Sequence, residues 1–193
     1  MIMGEIEEKI ERNIQILIGE FKLFPEKFLT EEDVRSFLYY LLLKDFGDIR
    51  TCEDSTKSIP VHCEVRWYGN SGKLKYRSDI VIIDTSTLRT DYRSFTKYPS
   101  KGYGFNKPVA IIEIKLRRRI RESDKSFKTK IFSDRKKLNK IREEIGHEFS
   151  TYIIAFDKKR NLRLETNSTN DHKEYYIYPY ENQGMMQNGQ SSI

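Results

Sequence analysis

Ser78-Asp79-Ile80-Val81-Ile82-Ile83 and Ala110-Ile111-Ile112-Glu113-Ile114-Lys115-Leu116 are the two stretches that decide the fold. Runs this apolar on both faces read as strands inside a sheet covered on both sides. Charge is out of place there, because an ionised side chain in an apolar interior costs several kcal/mol unless it is paired or holds a cation. Asp79, Glu113 and Lys115 therefore call for an explanation. Alternation places Glu113 and Lys115 on one face of their strand and Ile112, Ile114 and Leu116 on the other. If the Asp79 strand lies beside it, two carboxylates and one ammonium converge. Two carboxylates suit a hard divalent ion such as Mg²⁺, with Mn²⁺ as a substitute, and such an ion polarises a phosphoryl oxygen and acidifies water. The lysine can orient or help deprotonate that water, or neutralise charge on phosphorus. The plainer alternative is a structural Glu–Lys or Asp–Lys pair at the end of a sheet.

The pattern around these residues is a sequence of elements. Ile6, Ile10, Ile14, Leu17 and Phe21 repeat at helical spacing over residues 3 to 21, and Pro25 breaks the helix. Its inner face packs on the core, with a homodimer contact as the second reading. Thr30-Glu31-Glu32-Asp33 reads as a cap with an acidic first turn, opening a helix that runs through Phe46 and closes at Gly47. Residues 59 to 68 alternate, which predicts Val61, Cys63, Val65 and Trp67 on one strand face and His62, Glu64, Arg66 and Tyr68 on the other. Glu64 could add a carboxylate to the site but reads rather as a surface carboxylate paired with Lys or Arg, and His62 reads as structural. Gly69-Asn70-Ser71-Gly72 turns that strand into the Asp79 strand. Thr85 to Lys107 is an inserted loop mixing basic and aromatic residues, suited to stacking on bases or to disorder without substrate. The basic stretch up to Lys130 reads as a second loose segment, followed by a helix from Ile131 to Ile145 that ends at Gly146. Thr151 to Phe156 closes the sheet, and Tyr175 to Tyr180 adds an edge strand. Residues 181–193 read as a disordered tail.

The Asp79 strand followed by Glu113-Ile114-Lys115 resembles the PD-(D/E)XK, or restriction-endonuclease-like, nuclease superfamily. The resemblance runs from about residue 30 to residue 157. Ser78 stands where the proline of that motif would be, and the spacing of 34 positions from Asp79 to Glu113 requires the inserted loop. The resemblance implies an α/β fold, with a mixed central β-sheet flanked by α-helices and a core ordered helix, three strands, helix, strand. It implies a Mg²⁺-dependent deoxyribonuclease, an endonuclease, with Asp79, Glu113 and the main-chain carbonyl of Ile114 on the metal and Lys115 on the water. Glu31, with Glu32 second, is its candidate for the acidic residue of the first helix, against the alternative of dipole compensation. Lys137 is its candidate phosphate contact, with Asp134 as partner, against the slightly favoured alternative of a lysine snorkelling at the rim.

Charge agrees with that reading. The chain has 193 residues and a net charge of +6, yet Lys115 to Arg142 alone holds 13 Lys or Arg against 3 Asp or Glu. Such clusters neutralise phosphates and release counterions. Arg117, Arg118, Arg119, Lys130 and Lys137 are the expected nucleic-acid contacts, although a charge run is more often a solvated helix face. DNA is the expected partner, and RNA stays open. With 37% hydrophobic and 33% charged residues, the chain reads as one domain over residues 1–180. Cys52 and Cys63 offer neither a disulfide framework nor zinc spacing, and no run spans a membrane. Glu5, Glu7 and Glu8 argue against a signal peptide, so a cytoplasmic location is expected. No phosphate loop, dinucleotide fingerprint or nucleophile elbow is present. The alternatives in other classes are a nucleic-acid-binding protein of the same fold that does not cut, and an interaction module whose basic face meets an acidic protein.

Overall fold

The computed structural model describes residues 3–68, 74–90, 107–118, 122–146, 148–159 and 172–179. Helices α1 (Met3–Leu23) and α2 (Glu31–Phe46) come first, joined by a single 3-10 turn at Pro25–Lys27. Short strands β1 (Arg50–Thr51) and β2 (Lys57–Ser58) pair with each other alone. The main sheet follows: β3 (Val61–Tyr68), β4 (Leu74–Ile83), β5 (Pro108–Arg117), then α3 (Asp124–Ile145), β6 (Ser150–Asp157) and β7 (Lys173–Ile177). From Glu31 the long elements thus run helix, three strands, helix, then strand. The sheet order is β3-β4-β5-β6-β7. The first two pairings are antiparallel and the last two parallel, so the sheet is mixed.

Each face of the sheet is covered, as the apolar runs demand. Ile80, Ile82, Ala110, Ile112, Ile114 and Ile154 pack against α1 and α2 through Ile10, Ile14, Leu17, Leu38 and Leu42. Val81, Ile83, Ile111, Ile153 and Ala155 pack against α3 through Phe127, Ile131, Leu138 and Ile141. Each of these side chains larger than alanine contributes about 1.5–3 kcal/mol of burial, which is why the two helical stripes dock here. α1 and α2 are further tied where the buried Asn13 donates to Asp45 at 2.7 Å.

The expected helices form, with two instructive differences. α2 opens on a complete capping box: the Thr30 hydroxyl accepts from Asp33 N and the Asp33 carboxylate accepts from Thr30 N. At its other end Gly47 keeps a right-handed backbone, and what it supplies is space, since a Cβ would lie 2.3 Å from Leu43 O. α3 begins at Asp124 rather than Ile131. Ser123 caps it, and the buried Phe127 one turn before Ile131 extends the inner stripe, so the basic stretch before Lys130 is helix from Asp124 onward. Gly146 ends it at φ 61°, the left-handed position that favours glycine.

The alternation expected along β3 is corrected. Val61 and Cys63 pack toward α1 and α2, whereas Val65 and Trp67 pack toward α3. The face changes at Glu64, whose φ is 57°. β4 changes face at the matching place: Ile80 and Ile82 lie under α1 and α2, but Ser78 accepts a hydrogen bond from Trp67 Nε1 on the α3 side at 2.9 Å. β7 covers Lys173–Ile177, slightly earlier than the 175–180 expected. The Gly69–Gly72 turn, most of the inserted loop and the tail fall outside the described residues. Of that loop, Thr85–Thr87 forms a 3-10 turn capped by Asp84.

Candidate active site

The antiparallel ladder between β4 and β5 starts at Ile80–Ile112 and runs away from the charged residues. In that register Asp79 falls opposite Glu113, just past the last paired residues. There the strands no longer exchange main-chain bonds. Instead the Asp79 carboxylate accepts the Ile114 amide at 2.8 Å. On the other side, the β3–β4 register sets Glu64 opposite Asp79, and this pair too is missing between Cys63–Ile80 and Val65–Ser78. Glu64, Asp79 and Glu113 therefore form one row across three strands, at the point where β3 and β4 change face. A left-handed φ at a non-glycine residue costs about 1–3 kcal/mol and persists only where its surroundings enforce it. Arg35 and Arg77 both grip the Glu64 carboxylate, so the expected pairing with basic residues is present, though beside Asp79.

Glu113 is fully buried. Burial pushes its carboxyl up to about 8, even though the Lys137 ammonium opposes the shift. Lys137 Nζ meets Glu113 Oε2 at 2.5 Å, Asp134 Oδ1 at 3.1 Å and the main-chain oxygen of Arg77 at 3.0 Å. The second oxygen, Glu113 Oε1, is buried without a hydrogen-bond partner among the described residues. Lys115 Nζ lies 2.9 Å from Asp134 Oδ2, 3.4 Å from Glu31 Oε1 and 3.9 Å from Asp79 Oδ2, and it donates to Ile114 O at 2.8 Å. Burial disfavours its charge, but Asp134, Asp79 and Glu31 together outweigh burial and raise its pKa. The group is thus held as an ammonium, a donor rather than a proton acceptor.

Glu31 is reached from the first turn of α2. Its carboxylate also accepts the Leu116 amide at 3.2 Å, and burial raises its pKa. Glu32 points elsewhere: it is exposed, at 3.8 Å from Arg35. Asp79, Glu113, Lys115 and Glu31 are thus drawn into one network through Lys115, Asp134 and Lys137. Two members escaped sequence reasoning. Arg35, one turn after Glu31, lies 3.5 Å from Asp79 Oδ1, and the only hint was a charged residue beside the inner Val34 and Leu38. Asp134 appeared only as a partner of Lys137, whereas it joins both lysines.

The expected nucleic-acid contacts separate. Arg117 is fully buried, bonded through its guanidinium to both Asp157 and Asp124, and 5.3 Å from the Phe127 ring. It is a structural clasp, and the expectation of a phosphate contact there is corrected. Arg118 is exposed, Arg119 lies outside the described residues, and Lys130 is 2.7 Å from Glu122. The exposed lysines Lys125, Lys128, Lys136 and Lys140 line the side of α3 away from its buried stripe, so most of the basic run faces outward from the sheet.

Among the described residues, no group of three or more His, Cys, Asp or Glu is arranged to hold a metal ion. What is present is two carboxylate residues at facing strand positions, Asp79 and Glu113, with Ile114 next in the chain, and Mg²⁺ is commonly bound by one or two carboxylates while keeping several waters. The unpartnered Glu113 Oε1 fits such a cation, since a buried carboxylate oxygen without a donor invites one. A cavity of about 590 Å³ lies at the far end of β4, lined by Ile82, Ile83, Asp84 and Val109, and includes none of these groups. No helix among the described residues is long and apolar enough to cross a membrane. Compared with known proteins, the chain matches no family model, no curated protein and no solved structure.

Proposed function

We propose that this protein is a metal-dependent nuclease with a restriction-endonuclease-like core, hydrolysing DNA phosphodiester bonds internally. The observation that carries the reading is the placement of Asp79 opposite Glu113 where the β4–β5 ladder ends, with Lys115 two positions on along the same strand. Strand pairing stops where the two carboxylate residues lie opposite one another, which supports a ligand shared between them. The order helix, three strands, helix, strand supports it as well.

In this reading Asp79, Glu113 and the Ile114 carbonyl hold a divalent ion, Mg²⁺ or Mn²⁺. When bound, the ion acidifies water and polarises a phosphoryl oxygen. Lys115, kept charged by Asp134 and Glu31, donates a hydrogen bond to the attacking water and offsets the negative charge that builds at phosphorus. Orienting the water and charge neutralisation are its tasks. Asp134 and Glu31 are positioning residues for Lys115, and Arg35 does the same for Asp79. A Mg²⁺ and Mn²⁺ cleavage panel over plasmid, linear duplex, single-stranded, junction and RNA substrates tests the proposal. Cleavage that is lost with chelator and in Asp79→Ala is the expected result. Chelator-resistant cleavage, or unchanged cleavage by Asp79→Ala, would refute it.

One observation favours a second reading. Each candidate ligand already has an internal cation, Lys137 on Glu113 and Arg35 on Asp79, so the site is neutralised without metal. A nucleic-acid-binding protein of the same fold that does not cut would have this property. Salt-sensitive DNA binding with no cleavage across both metals would select it.

A further inference from the structure

Lys137 occupies the carboxylate that the metal reading requires. Its ammonium has three donors, and the three acceptors around it are Glu113 Oε2, Asp134 Oδ1 and the Arg77 main-chain oxygen. Two of these, Asp134 and Arg77 O, do not depend on Glu113. Asp134 lies one turn earlier on the same helix and would keep hold of the lysine if Glu113 were taken away. The lysine side chain is 18% exposed, whereas the Glu113 side chain has no exposure, so only the lysine has a route outward. Arg77, whose backbone it touches, has a side chain 60% exposed, which marks the open side of the row.

An ammonium in contact with Glu113 and a divalent ion on the same carboxylate repel one another at close range in a poorly solvated place. They are alternatives. Resting on the metal reading of Asp79 and Glu113, we propose that Lys137 is an exchangeable counter-ion. It neutralises Glu113 while no cation is bound, and it leaves when an oxygen-seeking divalent ion binds. The released ammonium stays tethered through Asp134 at the open edge, where it pairs with a phosphate of the substrate. Any proton that Glu113 carries leaves to solvent as the divalent ion binds, and no other bond is made or broken in this exchange. The loss of one positive charge from the carboxylate is met by the gain of two, which leaves the site able to accept an anion. Metal entry and phosphate capture are thereby coupled through one side chain.

The test is brief acylation of the full-length protein with N-hydroxysuccinimide acetate, read lysine by lysine by mass spectrometry, with and without Mn²⁺. Equilibrium dialysis measures Mn²⁺ binding in parallel, and the exposed Lys125 normalises reagent dose. The freed conformer of a paired side chain is a minor state of at most about 10%, so complete release raises Lys137 acylation by at least about tenfold. That rise should saturate with Mn²⁺ occupancy, and Glu113→Ala, which removes the acceptor altogether, should show faster Lys137 acylation without metal and no further response. Bound Mn²⁺ with Lys137 acylation unchanged or slower would overturn the exchange while leaving the metal reading intact. Lys137 protection in folded Glu113→Ala equal to that of the metal-free wild type would overturn it too. Failure of the wild-type protein to bind Mn²⁺ at all would remove the metal reading and this inference with it.

Discussion

Replacing Arg117 with leucine separates a structural arginine from a nucleic-acid contact. Arg117 and Asp157 are direct partners in the parallel β5–β6 ladder, and both side chains are almost wholly buried, at 0% and 3% exposure. Arg117 Nε donates to Asp157 Oδ1 at 2.7 Å, and a second bond from its guanidinium completes a two-pronged pair. Asp124, half exposed, loses little when its bond goes. Asp157 is the residue at risk, since Arg117→Leu leaves it buried with the Lys159 amide, at 2.8 Å from Oδ1, as its remaining donor among the described residues. Removing one partner of a buried pair costs about 3–5 kcal/mol. At about 2–4 °C per kcal/mol for a chain of this size, the melting temperature should fall by roughly 6–20 °C. Urea unfolding with calorimetry checks the loss, and Arg117→Leu/Asp157→Leu should recover most of it, because a matched apolar pair removes the unpaired charge. DNA affinity of the folded fraction should be unchanged. A melting shift under about 2 °C together with weakened DNA binding would refute the argument and restore Arg117 as a contact.

Two further outcomes concern the site. Lys115→Ala should lower cleavage by about 10²–10⁴-fold while largely preserving DNA binding, the range for a group acting on a proton or a developing charge; normal turnover by purified Lys115→Ala protein would remove it from the mechanism. Glu113→Gln should change the pH dependence of metal-free stability. A carboxyl raised from 4.5 to about 8 holds a proton in the folded state that the unfolded chain has already released, so its contribution falls as pH rises from about 4.5 to 8. The melting-temperature advantage of Glu113→Gln over wild type should therefore grow across that window and level off above it, and a constant difference from pH 4 to 9 would contradict the assigned burial effect.

Periodicity made the architecture legible because it reports which faces of an element avoid water. The Ile6 to Phe21 stripe, the Thr30 cap and the two apolar strands appear where local pattern places them. The start of α3 is hidden in the sequence because the seven positions from Asp124 to Lys130, mostly charged, obscure the Ser123 cap and the Phe127 contact. Charged residues solvate one helix face without preventing the helix, so composition alone misleads there.

By itself, the sequence determined that Asp79, Glu113 and Lys115 sit in buried strands, because strand alternation and the cost of buried charge are local facts. Only the tertiary structure decided what they meet. The change of face at Glu64 and Asp79 arises from pairing between strands, and no single strand encodes it. Arg35 comes from one helix and Asp134 and Lys137 from another, on opposite sides of the sheet. Arg117, one of a run of basic residues, is taken inside by an aspartate forty positions away. Electrostatic partners are chosen by distance in space, and in a chain with 35 basic and 29 acidic residues too many pairings are open for sequence order to select among them.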